Sequence, residues 1–251
     1  GRQGGHRPRR LAAAMSSRFV VSYYPFPGRG EVVRLMLALG GLPFDEDYIP
    51  FADWQKGRKA SARWRLTPNL TLPSGRVAGQ SRALLRYLAK QVAVAGAPLY
   101  PEDPEAALVV DEASDYLEDI WGKLIPVLRA GKAERDAMAA GLVAPGGEVA
   151  TMLDDLEAAI VGPFVLGAAM TMVDVYLFAA IGWWTSGFFT TSVTAEALLG
   201  ARPKLAAVIR GVARLPAVQQ YYGGAEYQQK DKALWGMYVR FCREVAAPSK
   251  L

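Results

Sequence analysis

Of the residue types that do chemistry most readily, this chain has one histidine, His6, and one cysteine, Cys242. A single cysteine forms neither an intrachain disulfide nor a cysteine-based metal cluster. His6 lies in an Arg- and Gly-rich stretch ahead of Met15, so the remainder holds no histidine for a triad, a general base or an imidazole metal site. Chemistry therefore falls to Tyr, Lys, Arg, carboxylates, backbone groups or a thiol borrowed from a ligand. The residues spaced to provide it are Tyr23, the pair Gln80-Ser81, and the acids Asp111, Asp115, Glu118 and Asp119. Tyr23 closes the β-branched and aromatic run Phe19–Tyr23, where the end of a strand lets a side chain reach solvent. Tyr24 points the opposite way by strand alternation. For an arbitrary strand-end tyrosine the simpler role is core packing with a wet hydroxyl. Ser81 precedes Leu84, Leu85, Leu88 and Val92 at helical spacing, the place of an N-cap, where hydroxyl and free amides can also meet an anion. The four acids recur at steps of four, three and one, which sets them on one side of a helix. Such a group repels itself unless neutralised.

The elements that must carry these residues are legible from spacing. Phe19–Tyr23 predicts a strand, and Pro25, Pro27, Gly28 and Gly30 punctuate a turn after it. Val32, Val33, Leu35, Met36 and Leu39 give a helix from Glu31 that stops at Gly40-Gly41. Leu42 to Phe51 predicts a second strand, and the basic segment from Gln55 to Arg65 an exposed connection. Asn69 to Leu72 alternates strictly, Ser74-Gly75 turns, and Val77 belongs to a short return strand before Gln80. The order is βαβ followed by ββα. From Ala95 to Pro104 the chain turns Gly-, Ala- and Pro-rich, and beyond it nearly everything has helical periodicity. Breaks fall near Gly131, Pro145-Gly146-Gly147, Gly162-Pro163, Thr185 to Thr191, Pro203 and Pro216. The predicted organisation is a tail over 1–16, an α/β domain over 17–94, a linker over 95–104 and an all-α domain over 105–251.

At 251 residues and 51% apolar composition the chain can bury a substantial core. Four of its 29 Lys and Arg lie in the first fourteen residues, which contain no acid, so the net charge of +5 belongs mostly to that tail and the rest is near neutral. This excludes a nucleic-acid footprint. Between Ala158 and Phe189 the only charged side chain is Asp174. Thr171 to Asp174 reads as a capping box, and a helix from there to Gly187 reaches about 24 Å, short of a bilayer's hydrocarbon layer. A buried central helix is expected, not a membrane span. The single cysteine fits a reducing, cytoplasmic setting, with the Arg-rich first residues also compatible with organellar targeting.

Several strings carry a family resemblance. Val21 to Arg34, with Tyr23, Gly28-Arg29-Gly30 and Glu31 inside it, resembles the first strand and helix of cytosolic glutathione transferases of the tyrosine type, with the sigma class nearest and pi and mu similar. Ala52-Asp53-Trp54, Gly79-Gln80-Ser81-Arg82-Ala83 followed by Arg86 to Ala89, the box Thr171 to Asp174, and Pro203 to Val218 resemble later segments of the same family in the same order. The resemblance implies a thioredoxin-like domain followed by a helical one, and an enzyme that uses glutathione as co-substrate, without a metal, on a small hydrophobic electrophile. Alternatives within the resemblance are a catalytically silent structural subunit and a glutathione-dependent isomerase of the prostaglandin D synthase type.

Residue by residue, the resemblance implies Tyr23 as the donor to the glutathione thiol and Arg29 as added positive potential beside the sulfur. Gln80 and Ser81 would hold the γ-glutamyl end, and Trp54, with Arg58 or Lys59, would meet the glycyl end. A cis-proline should present the backbone of the residue before it to the cysteinyl part. Thr67-Pro68 is favoured for this over an ungapped match at Asn69, because the strand alternation then continues naturally and X-Pro bonds adopt cis most cheaply. Asp119 would reach the glutathione ammonium of the partner subunit, implying a homodimer. Phe26 and Trp121 would face the electrophile. The tail from Tyr227 to Val245, with Leu234, Met237, Tyr238 and Phe241 at helical spacing, reads as core packing, with covering of that pocket the alternative, and Cys242 as an inert thiol.

Overall fold

The computed structural model describes residues 18–188 and 190–224, together with Tyr227, Tyr238, Arg240, Phe241 and Val245. The tail 1–16 and the expectations for Leu234, Met237 and Cys242 lie outside the described residues. The first half opens with β1 (Phe19–Tyr23), α1 (Gly28–Leu39) and β2 (Phe44–Tyr48). Alternation in β1 turns Phe19, Val21 and Tyr23 inward. α1 begins three residues earlier than the apolar spacing indicates, its first hydrogen bond running from the Glu31 amide to the Pro27 carbonyl at 3.0 Å.

The basic segment from Gln55 to Arg65 is exposed, as its composition indicates, with only Ala62 half-buried, but it is not irregular. With the residues from Phe51 it folds into short turns: α2 (Phe51–Asp53), a π-turn (Trp54–Arg58), α3 (Lys59–Ser61) and a 3₁₀ turn (Arg63–Arg65). Asn69 pins the end of this stretch. Its side-chain oxygen accepts the Arg63 amide at 2.9 Å, and its nitrogen donates to the carbonyls of Leu66 and Pro68 at 2.8 and 3.0 Å. β3 (Asn69–Thr71), β4 (Val77–Gly79) and α4 (Ser81–Ala89) complete the half. The sheet order is β2-β1-β3-β4, with β1 parallel to β2 and the other pairs antiparallel. This is a thioredoxin-like arrangement.

Within and just before the expected linker a small ribbon forms from β5 (Ala93–Val94) and β6 (Ala97–Pro98). The second half is helical: α5 (Pro104–Arg129), α6 (Lys132–Val143), α7 (Glu148–Ala159), α8 (Met172–Trp184), α9 (Ala195–Leu199), α10 (Pro203–Ala213) and α11 (Pro216–Gly223). The breaks coincide with the Gly and Pro positions, and Pro203 and Pro216 stand in the first turns of α10 and α11, where a missing N–H costs nothing. All thirteen residues of α8 are buried. Its start is closed by Asp174, which accepts the Thr171 amide at 2.7 Å, the Thr171 hydroxyl at 3.0 Å and the Val165 amide at 2.8 Å. Burial raises the Asp174 carboxyl above its usual range even so. Among the described residues no helix is long and apolar enough to cross a membrane. α1 packs on α4, α8 and α11, so the helix next to Tyr23 is wedged between the two halves.

Candidate functional site

Strand register gathers the proposed site. Ser22 pairs with Asn69, and Asn69 pairs with Gly79. The residues one step beyond each, Tyr23, Pro68 and Gln80, therefore lie at one end of the sheet, with Tyr23 and Gln80 about 10 Å apart across two strand spacings. The Thr67–Pro68 bond is cis.

Tyr23 lies against the first turn of α1. A Cβ at Gly28 would come within 2.6 Å of its hydroxyl, and one at Gly30 within 2.5 Å of its ring; Gly28 also has φ +47°. Glycine at both positions is what lets the ring lie there. The Tyr23 hydroxyl accepts the Arg29 amide at 3.1 Å. Burial pushes this hydroxyl up to about 12, against the opposing pull of the Arg29 amide and of the Arg29 and Arg34 charges. Tyr24 does not take the opposite side that strand alternation predicts: it lies just past the end of β1 with its ring 5.3 Å from that of Tyr23, stacks on Phe51 at 4.5 Å and meets Trp54 edge-on at 5.9 Å.

Arg29 is not the solvated loop cation that its surroundings in sequence permit. Its guanidinium pairs with Glu118 of α5 and lies 5.0 Å over the Trp121 ring. Glu118 also accepts the Tyr176 hydroxyl from α8 at 2.8 Å. The acidic face of α5 is neutralised the same way. Asp115 pairs with Arg82, while Asp111 accepts from Arg86 at 3.2 Å and from the Tyr100 hydroxyl at 3.0 Å. Asp119 is exposed and has no ion pair among the described residues. It lines a cleft of about 930 Å³ with Glu118, Lys123 and Glu148, and a second of about 580 Å³ with Tyr116, Asp155 and Leu166.

At the start of α4 the sequence reading is off by one. Gln80, not Ser81, holds the N-cap place, at φ +73°, and makes no capping bond through its side chain. Ser81 is the first helical residue, so its hydroxyl is not spent on a cap. The first-turn amides of α4 have no intrahelical acceptor. Trp54 is buried at 7% exposure, and Arg58 pairs with Asp47 on the surface.

Phe26 and Trp121 are packed rather than facing open space, at 7 and 3% exposure. Phe26 stacks on Trp183 at 5.3 Å and 5° and on Phe188 at 5.3 Å, while Trp121 meets Trp184 edge-on at 5.8 Å. Sequence reasoning missed the Trp183-Trp184 pair that both rings contact, and missed Glu118 as the partner of Arg29. The available signal was four aromatic residues, Trp183, Trp184, Phe188 and Phe189, around the Thr185 to Thr191 break, together with a basic residue, Arg29, that needed a counter-charge.

No protein-family model matches the chain. Over 128 residues it is 32% identical to probable glutathione S-transferase 7 of Caenorhabditis elegans, a match covering 51% of this chain and 61% of that relative. It is 26% identical to human glutathione S-transferase P over 219 residues, covering 83% of this chain and 93% of that one. Among solved structures, prostaglandin synthase D of Nilaparvata lugens aligns with a TM-score of 0.71 at 20% identity, covering 83% of this chain and 98% of that one. The fold class is a thioredoxin-like domain followed by an all-helical one. In sequence and in fold the chain is similar to glutathione transferases. Nearness to the sigma class rests on the sequence strings alone.

Proposed function

We propose that this chain is a glutathione transferase in which the Tyr23 hydroxyl donates to the glutathione sulfur and holds it as the thiolate, which attacks a small hydrophobic electrophile. One observation carries this reading. The Tyr23 hydroxyl accepts the Arg29 amide, which leaves its own proton without an acceptor among the described residues. A free thiol titrates near ~8.5 and is mostly protonated at neutral pH, so turnover requires that the thiolate be favoured. With its hydroxyl pushed up to about 12 by burial, Tyr23 is protonated at pH 7 and acts as a donor, not a base. Arg29 acts chiefly through its amide, since its guanidinium is paired with Glu118.

The binding assignments follow from the ends of the sheet. Ser81 and the free amides of α4, with Gln80, take the γ-glutamyl carboxylate. The backbone of Thr67 before cis-Pro68 pairs with the cysteinyl part, and Trp54 borders the glycyl part. Arg58 is tied to Asp47, so Lys59 is the less committed cation for the glycyl carboxylate. Asp119 of the partner subunit takes the ammonium group, which makes the working unit a homodimer; glutathione is the co-substrate and no metal is needed.

The experiment is conjugation of a chromogenic electrophile by the wild type and Tyr23→Phe. Loss of one preorganised donor to a developing charge lowers turnover about a hundredfold, with glutathione affinity by calorimetry unchanged. Full activity in the variant removes Tyr23 from its role. Absence of binding at millimolar glutathione moves the reading to a catalytically silent scaffold.

A further inference from the structure

Next to Tyr23, where α1 meets β2 and the C-terminal segment, lies a buried charged cluster that neither binding nor donation uses. Glu31 and Arg34 are fully buried, and the Glu46 side chain is 8% exposed. The Arg34 Nε bonds both Glu46 carboxylate oxygens, at 2.8 and 3.0 Å, and the same guanidinium reaches Glu31 Oε2 at 3.3 Å. Two carboxylates thus share one guanidinium. A buried carboxylate in that position needs further donors. They come from tyrosines. Glu31 Oε1 accepts the Tyr222 hydroxyl at 3.1 Å and the Tyr227 hydroxyl at 3.0 Å. Tyr238, from further along the same C-terminal segment, has its hydroxyl 3.3 Å from that of Tyr222.

The other end of the cluster touches the site. Arg34 Nη1 also donates to the carbonyls of Phe26 and Pro27, at 3.3 and 3.4 Å, and the guanidinium carbon lies 5.7 Å over the Tyr23 ring. Phe26 and Pro27 belong to the loop that delivers the Arg29 amide to the Tyr23 hydroxyl. We infer that Tyr227 is a positioning residue: its hydroxyl fixes Glu31, Glu31 sets how far Arg34 is drawn from the Phe26 and Pro27 carbonyls, and Arg34 holds that loop in register with Tyr23. The C-terminal segment beyond α11 thereby acts on the thiol donor. Gln80, Ser81 and Pro68 stand on other elements and have no described bond to the cluster, so the effect falls on turnover and not on glutathione binding. The functional part of this inference rests on the glutathione transferase reading; the structural part does not.

The test has two arms, run on the full-length wild type, Tyr227→Phe, Glu31→Gln and the double variant. In the first arm, amide hydrogen exchange is followed without ligand. The Arg29 amide should exchange about tenfold faster in Tyr227→Phe while amides of α8 and α10 are unchanged, the signature of local opening. The double variant should return to within about twofold of Glu31→Gln alone, because a neutral residue at 31 no longer requires the Tyr227 donor and the two changes are coupled. Unaltered exchange at Arg29, acceleration spread across α8 and α10, or additive effects would each overturn the inference in favour of plain packing. In the second arm, conjugation kinetics should show a fall in kcat with KM for glutathione held, and the same rescue. Equal changes in kcat and KM would overturn it. If the wild type conjugates nothing while the exchange pattern appears, the glutathione reading fails and the tether stands.

Discussion

The starts of α8 and α4 are both helix N-termini, and they spend their donors in opposite ways. At α8 a buried carboxylate, Asp174, takes three donors from Thr171 and Val165. At α4 the N-cap residue Gln80 is exposed, held at φ +73°, and offers no capping bond. The first arrangement closes a helix end inside the core, where unsatisfied groups cost most. The second leaves amides and a hydroxyl available beside Tyr23 and keeps a strained backbone in place to do so. One start is committed to folding, and the other retains its polar groups for a ligand.

Three substitutions would break or sharpen this contrast. The largest effect should come from Asp174→Ala, which orphans three buried donors and lowers stability by about 3 kcal/mol in urea denaturation. Glutathione affinity of the folded fraction should not change, and a loss of affinity at constant stability would erase the distinction. Next, Ser81→Ala should weaken glutathione binding about tenfold by calorimetry, roughly one charge-assisted hydrogen bond, with the melting temperature within a degree or two of wild type. A drop in stability without loss of binding would make Ser81 a structural residue. The smallest effect is expected from Gln80→Gly. Relief of the left-handed backbone should raise stability by up to about 1 kcal/mol while glutathione affinity falls. Lower stability would mean that the backbone there is unstrained.

Local periodicity carried much of the fold. The alternation of Phe19–Tyr23, the apolar stripe of α1, the box at Thr171 and the Pro and Gly breaks of the helical half are each signals within a few residues, and each marks an element at that place. The choice of Thr67-Pro68 was also legible, because alternation after Pro68 fixed where β3 begins. What escaped was long-range or off-period. Arg29 and Glu118 are 89 residues apart, and nothing in the spacing of either names the other. The helical turns from Phe51 to Arg65 include a π-turn and a 3₁₀ turn, whose periods blur the apolar pattern. Ser81 was misplaced by one because Ser is the commoner N-cap and the positive φ of Gln80 leaves no mark in sequence. Glu31 stands in the first turn of α1, yet it is fully buried and bonded to Tyr227, 196 residues away. The paired and packed partners at the site were the least legible part for that reason.

Asn69 has a consequence for how the molecule ages. Its side-chain nitrogen faces the Leu66 and Pro68 carbonyls, while its oxygen faces the Arg63 amide, so both ends of one amide group are spoken for. Deamidation to Asp would exchange the donating nitrogen for an oxygen and set it against two carbonyl oxygens at the same spot. A change of one mass unit, in a side chain that is 5% exposed, would turn the clasp that precedes β3 into a point of repulsion.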